Sequence, residues 1–130
     1  MRVIFVVGTR PEIIKISPVV KALRQTRGAG IDCRIVATGQ HDRLAEQAFA
    51  DVGLVPDCRL AMRAGALSLM QTAAAILDHA QAAACCGPRA DLIVVQGDTN
   101  SALAGAMAGF DTHNEETPGY STATTAHPQR

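Results

Sequence analysis

Residues 1–23 read MRVIFVVGTRPEIIKISPVVKAL, and this stretch decides the fold. Val3 to Val7 is a continuous run of β-branched and aromatic residues ending at Gly8. A strand buried on both faces of a parallel sheet reads this way. After a short turn comes Pro11, which a helix tolerates best in its first turn. Ile13, Ile16, Val19, Val20 and Leu23 then recur at helical spacing as one apolar stripe. Lys21 and Gln25 fall on the opposite side. Pro18 lies inside the pattern and predicts a kink or restart near Ile16–Ser17. Gly28 and Gly30 end the helix.

The same alternation continues downstream. Cys33 to Ala37 is a second short strand, closed by Gly39. Asp42 caps a helix running to about Val52, with Leu44, Ala48 and Val52 inward and Gly53 as the stop. Val55 to Gly65 reads as a short strand or an extended loop. Ser68 with Gln71 makes a capping-box pattern. It opens an alanine-rich helix through Leu69, Ala73, Ile76, Leu77 and Ala80. Leu92 to Val95 is the next strand, closed by Gly97. Thr99 or Asn100 caps a last helix through Ala102, Leu103, Ala106 and Met107. Strand–helix alternation of this kind predicts an α/β fold: a Rossmann-like parallel sheet with helices on both faces. From Asp111 to Arg130 the only bulky hydrophobic residue is Tyr120. So little apolar surface does not offset the entropy of ordering. The expected organisation is therefore a domain over 1–109 and a polar, disordered tail over 110–130.

Composition narrows the function. The chain has 130 residues, so it is one domain at most. Lys plus Arg equals Asp plus Glu, which removes the basic footprint of a nucleic-acid surface. No apolar run is long enough for a signal-peptide core or a membrane span, so a cytoplasmic protein is expected. Cys33, Cys58, Cys85 and Cys86 make no CxxC pair and no zinc spacing. They read as free thiols, with no metal role. Neither the dinucleotide fingerprint nor the Walker loop is present.

Three polar clusters follow the three clear strands: Gly8-Thr9-Arg10-Pro11-Glu12, Thr38-Gly39-Gln40-His41 and Gly97-Asp98-Thr99. In an open α/β sheet, ligands bind outside the carboxyl ends of the strands, where all three clusters fall. Each has a plainer reading. The glycines serve tight turns, Arg10 pairs with Glu12 or another neighbour at the surface, Asp98 caps the last helix, and His41 is solvated. Together they read as a site. Arg10 is a permanent cation at the mouth of the first helix, where the dipole favours anions. Lys15 lies about a turn in, and its side chain tilts back toward that mouth. Asp98 adds a carboxylate across the crevice, suited to acid/base work or to orienting a hydroxyl.

These residues carry a family resemblance. The opening strand-GTRPE-helix-K-x-x-P layout resembles that of the non-hydrolysing UDP-N-acetylglucosamine 2-epimerases. VATGQH at 36–41 and DLIVVQGDT at 91–99 match two further landmarks in order and spacing. SLMQTAAAIL at 68–77 looks like the family's amphipathic helix. The resemblance covers about residues 1–109. It implies the N-terminal domain of a two-domain, GT-B-type enzyme with its active site in the interdomain cleft. It also implies interconversion of UDP-N-acetylglucosamine and UDP-N-acetylmannosamine by elimination and re-addition of UDP, without nicotinamide or metal. Carried over, Arg10 and Lys15 contact substrate, Asp98 is a catalytic carboxylate, and Gln40 and His41 belong to the ligand or allosteric pocket. The family then continues into an HVEAGLR-like segment bearing a catalytic glutamate, where this chain has DTHNEETPGYSTATTAHPQR. Neither Glu115 nor Glu116 stands in a matching context.

The expected product is thus a partial epimerase, inactive by itself. The alternatives are a non-catalytic binding or interaction module and a truncated product without activity. A strand edge left open beside Leu92–Val95 would favour self-association, as a homo-oligomer or with a complementary C-terminal half.

Overall fold

The computed structural model describes residues 1–26, 30–39, 42–60, 70–71, 73–75, 90–111 and 121–125. Strand β1 (Arg2–Val7) leads into helix α1 (Arg10–Gln25), strand β2 (Asp32–Ala37), helix α2 (Asp42–Val52) and the short strand β3 (Cys58–Arg59). Strand β4 (Leu92–Gln96), helix α3 (Asn100–Asp111) and strand β5 (Ser121–Thr125) follow. The strands form one sheet in the order β3-β2-β1-β4-β5. Each neighbouring pair is parallel. Phe5 of β1 stands between Ile35 and Val94, at the centre of the sheet.

Side-chain alternation along β1 feeds two cores. Val3, Phe5 and Val7 join Ile13, Ile16 and Val20 of α1 and Ala45, Ala48 and Phe49 of α2. Val6, on the other face, meets Val95 and Ala102. Period-two pleating sends successive side chains to opposite faces, so an uninterrupted apolar strand needs helices on both. Helix α3 approaches closely because it presents small residues. A Cβ added at Gly105 would stand 2.7 Å from Val95 Cγ1 and 3.1 Å from Val6 Cβ.

The strands and helices fall where their patterns place them, with three differences, at Pro18, Leu44 and Val19. Pro18 does not interrupt α1, which is one helix over Arg10–Gln25. Proline removes the N–H that would bond to the Ile14 carbonyl. Ser17 Oγ donates to that carbonyl instead, at 2.9 Å. Leu44 is turned outward, 56% exposed. The buried stripe of α2 is Ala45, Ala48 and Phe49, with Val52 packed partly buried against it, so Ala48 and Val52 face inward as expected and Leu44 does not. Val19 is likewise half-exposed, beside a stripe of Ile13, Ile16 and Val20. The ambiguous stretch after Val55 contains a two-residue strand, β3. Most of the alanine-rich helix expected after Ser68 lies outside the described residues; Met70, Gln71 and 73–75 are helical.

Within the polar tail, residues 121–125 form β5, paired along the whole of β4 from Leu92–Ser121 to Gln96–Thr125. Helix α3 also runs past the expected division at 109/110, to Asp111. The edge of β4 is therefore covered by this chain, and the argument for self-association through it falls. Composition missed the strand because ladder bonds come from the backbone. Threonine favours the extended pleat without adding an apolar signal.

Ion pairs gather near the amino ends of β1 and β2. Asp32 accepts from Arg34 Nε at 2.7 Å and from Arg2 Nε at 2.8 Å. Asp57 accepts from Ile35 N at 2.8 Å and from Arg24 Nη2 at 2.7 Å. The Arg34 bond, then the Arg2 bond, hold the Asp32 carboxyl below its ordinary value of 3.8. A lowered folded value means the stabilisation is complete above 3.8 and fades as pH falls through the folded value. Asp32→Asn should therefore weaken the fold slightly above pH 3.8, as an exposed pair does, and converge with wild type on acidification. Denaturant midpoints across the acid range check this. A gap that widens toward low pH would contradict it.

Candidate functional site

The strand order reverses between β1 and β4. From β1 the chain steps outward to β2 and β3, then returns to the other side of β1 for β4 and β5. Such a switch point splays the two following loops apart and opens a crevice at the carboxyl edge. The loop after β1 is Gly8–Thr9, and the loop after β4 is Gly97–Asp98–Thr99.

Small and buried polar residues shape the floor. Thr38 and Ser101 are fully buried, and their hydroxyls bond to each other at 2.7 Å. Gly8 lies directly against them. A Cβ there would be 2.0 Å from Ser101 Oγ and 2.3 Å from Thr38 Oγ1. Gly97 has φ +98, a left-handed conformation that favours glycine.

Glu12 is the unexpected centre. It is 2% exposed, on the inner face of the first turn of α1. Its Oε2 accepts from Gly8 N at 2.6 Å and from Thr9 N at 3.0 Å. Its Oε1 accepts from Thr99 Oγ1, at the far side of the switch point. The Thr99 hydroxyl in turn accepts from Ala102 N at 3.2 Å, which makes it the N-cap of α3. Glu12 is thus unavailable to Arg10, against one of the sequence readings. The Thr-x-x-Glu spacing of Thr9 and Glu12 is a capping-box pattern, and that signal was available in the sequence.

The expected site residues stand at this edge, as far as they are described. Arg10 opens α1, half-exposed, with Asp51 of α2 at 3.8 Å. Lys15 is exposed; with the Gln96 side-chain oxygen turned toward it, its Nζ donates at 3.3 Å. Gln96 ends β4, so Lys15 does reach back to the mouth. Asp98 is exposed between Gly97 and Thr99, and the cap is supplied by Thr99 rather than by Asp98. Gln40 and His41 lie outside the described residues. A shallow pocket opens beside these loops, lined by Val7, Gly8, Ala37 and Gly39 at the ends of β1 and β2. Its outer wall holds Glu46 and Arg59, bonded at 3.1 Å. The arrangement offers two cations in the first turns of α1 and a carboxylate on the loop after β4, suited to an anionic ligand with exchangeable protons.

The sequence model of the UDP-N-acetylglucosamine 2-epimerase family matches residues 21–115. The chain belongs to this family. Among epimerase-family relatives, the UDP-N-acetylglucosamine 2-epimerase of Methanocaldococcus jannaschii is 34% identical over 109 residues, which are 82% of this chain and 28% of that protein. That of Escherichia coli K12 is 31% identical over 110 residues, 85% of this chain and 28% of the relative. The chain thus spans 28% of the length of the curated relatives it matches.

Solved structures agree. The Neisseria meningitidis UDP-GlcNAc 2-epimerase, bound to UDP-GlcNAc, superposes with a TM-score of 0.82 at 25% identity, over 95% of this chain and 32% of that one. The Methanocaldococcus jannaschii enzyme, in complex with UDP-GlcNAc and UDP, superposes with a TM-score of 0.80 at 31% identity, over 95% and 32%. The match is to the N-terminal part of these structures, whose fold is of the GT-B type. Among the described residues no helix is long and apolar enough to cross a membrane.

Proposed function

We propose that this chain supplies one wall of a UDP-N-acetylglucosamine 2-epimerase site and needs a second wall to turn over. One observation carries the reading. What supports it is that Arg10, Lys15 and Asp98 stand near the carboxyl ends of β1 and β4, in a fold whose solved relatives hold UDP-GlcNAc. In the proposed reaction the C2 proton is removed, the C1–O bond breaks and UDP leaves, giving a 2-acetamidoglucal. UDP then adds back while the proton returns to the opposite face of C2. Arg10 and Lys15 offset the charge that develops on the departing diphosphate. Asp98 moves a proton or orients a hydroxyl. Gln40 and His41 belong to the ligand pocket or to an allosteric one beside it. The same reading makes the protein cytoplasmic and its substrate a UDP-sugar.

The chain spans 28% of the relatives' length, and the part of those enzymes beyond it would supply the second wall. A substrate held from one side is not held in near-attack geometry, and that geometry supplies much of the barrier reduction. The partner is a complementary C-terminal half, or a second copy in a homo-oligomer. As a non-catalytic module, the same face would bind without turnover.

The test assays this chain for UDP-N-acetylmannosamine formation, alone and mixed with a purified C-terminal half of a family enzyme. The chain alone should stay at blank, the mixture should form product, and Asp98→Asn should lower that rate by about 100-fold or more. A stable complex that is inert would leave only the binding module. No complex and no binding of UDP-GlcNAc would reject both.

A further inference from the structure

We propose that Glu12 is a positioning residue that locks the loop bearing Arg10 to the loop bearing Asp98. This rests on the reading of the crevice as a nucleotide-sugar site. A capping-box glutamate needs only its bond to the N-cap amide, here Thr9 N. Glu12 does more. It takes a second amide, Gly8 N, and a hydroxyl from Thr99, 87 positions away. The three donors fill both carboxylate oxygens inside a site shielded from water, where such bonds are strong and their loss is costly.

The bonded groups adjoin the residues they would position. Gly8 and Thr9 immediately precede Arg10, and Thr99 immediately follows Asp98. Gly97 completes the arrangement: a Cβ there would lie 3.7 Å from Glu12 Oε1, so the β4 loop turns directly over the carboxylate. Two loops that a switch point spreads apart are thus fastened beneath the crevice by one side chain. Arg10 and Asp98 are both exposed and make no contact that would fix their spacing among the described bonds. Their separation is inherited from the backbone below them. Small errors in such spacing cost large factors in binding and rate.

The test uses the full chain, its backbone amide spectrum and titration with UDP-GlcNAc. Glu12→Ala should shift the amides of Gly97–Thr99 as well as those of Gly8–Arg10, and weaken binding by about tenfold. Thr99→Val should reproduce both effects, and Thr99→Ser, which keeps the hydroxyl, should restore them. The double variant Glu12→Ala/Thr99→Val should bind no worse than the weaker single, because one bond is removed in both. Shifts confined to the Gly8–Arg10 loop, or losses that simply add, would overturn the lock. If Glu12→Ala fails to fold, the Thr99→Val and Thr99→Ser pair decides. If neither the wild-type chain nor its mixture with the C-terminal half binds UDP-GlcNAc, the nucleotide-sugar reading falls, and the ligand-free shifts still judge the lock.

Discussion

Gly8→Ala is expected to lower the free energy of unfolding by about 3 kcal/mol. The added methyl would stand 2.0 Å from Ser101 Oγ, 2.3 Å from Thr38 Oγ1 and 3.0 Å from Ser101 Cβ. Neither neighbour is the loose end of a long side chain. Both are short, fully buried and bonded to each other at 2.7 Å. Rotating one hydroxyl away breaks their buried bond to each other, which is costly. Avoiding that requires α3 to lift from the end of β1, against the close contact at Gly105. The cost is purely steric, because Gly8 is not among the glycines with positive φ. Gly30→Ala is the matched control. Gly30 has φ +61 with nothing within 4 Å of an added Cβ. It should lose only the left-handed penalty, about 1 kcal/mol. Urea unfolding of the three proteins measures the difference. A Gly8 variant no weaker than the Gly30 variant would show that the packing here is looser than its distances imply.

Phe5→Ala is expected to cost about 4 kcal/mol. Phe5 is 1% exposed on the central strand, within the core shared with α1 and α2. Truncation removes its transfer free energy and leaves a cavity. The strands on either side are hydrogen-bonded and cannot close inward to fill it. Native domains are stable by only about 5–15 kcal/mol, so this one change removes a large share. Val55→Ala, at a side chain 71% exposed, should stay within about 0.5 kcal/mol of wild type. A Phe5 variant as mild as the Val55 variant would mean that the sheet repacks freely.

Much of the fold was legible because burial leaves a period. Val3–Val7 is apolar at every position, and helices cover both faces of this strand. The α1 stripe recurs at helical spacing, and Ile13, Ile16 and Val20 are buried on it. Phase was harder than existence: Leu44 and Val19 are as apolar as their neighbours but sit on the wrong side. Only packing distinguishes them. The site divides the same way. The polar clusters after strands put Arg10 and Asp98 at one edge of the sheet in the sequence, and Lys15 follows a turn into α1. Glu12 was passed over because its burial depends on Thr99, which is remote in sequence.

By itself, then, the sequence determined the alternation of strands and helices, the family, and the edge on which the polar clusters gather. Those properties follow from local periodicity and from short motifs, which a chain carries whether folded or not. The tertiary structure alone decided the switch point between β1 and β4, the pairing of the polar residues 121–125 as β5, and the convergence of Gly8, Thr9 and Thr99 on one carboxylate. Each of these joins segments far apart along the chain. Backbone pairing and buried hydrogen bonds carry no local compositional mark, so they become visible only when the partners meet.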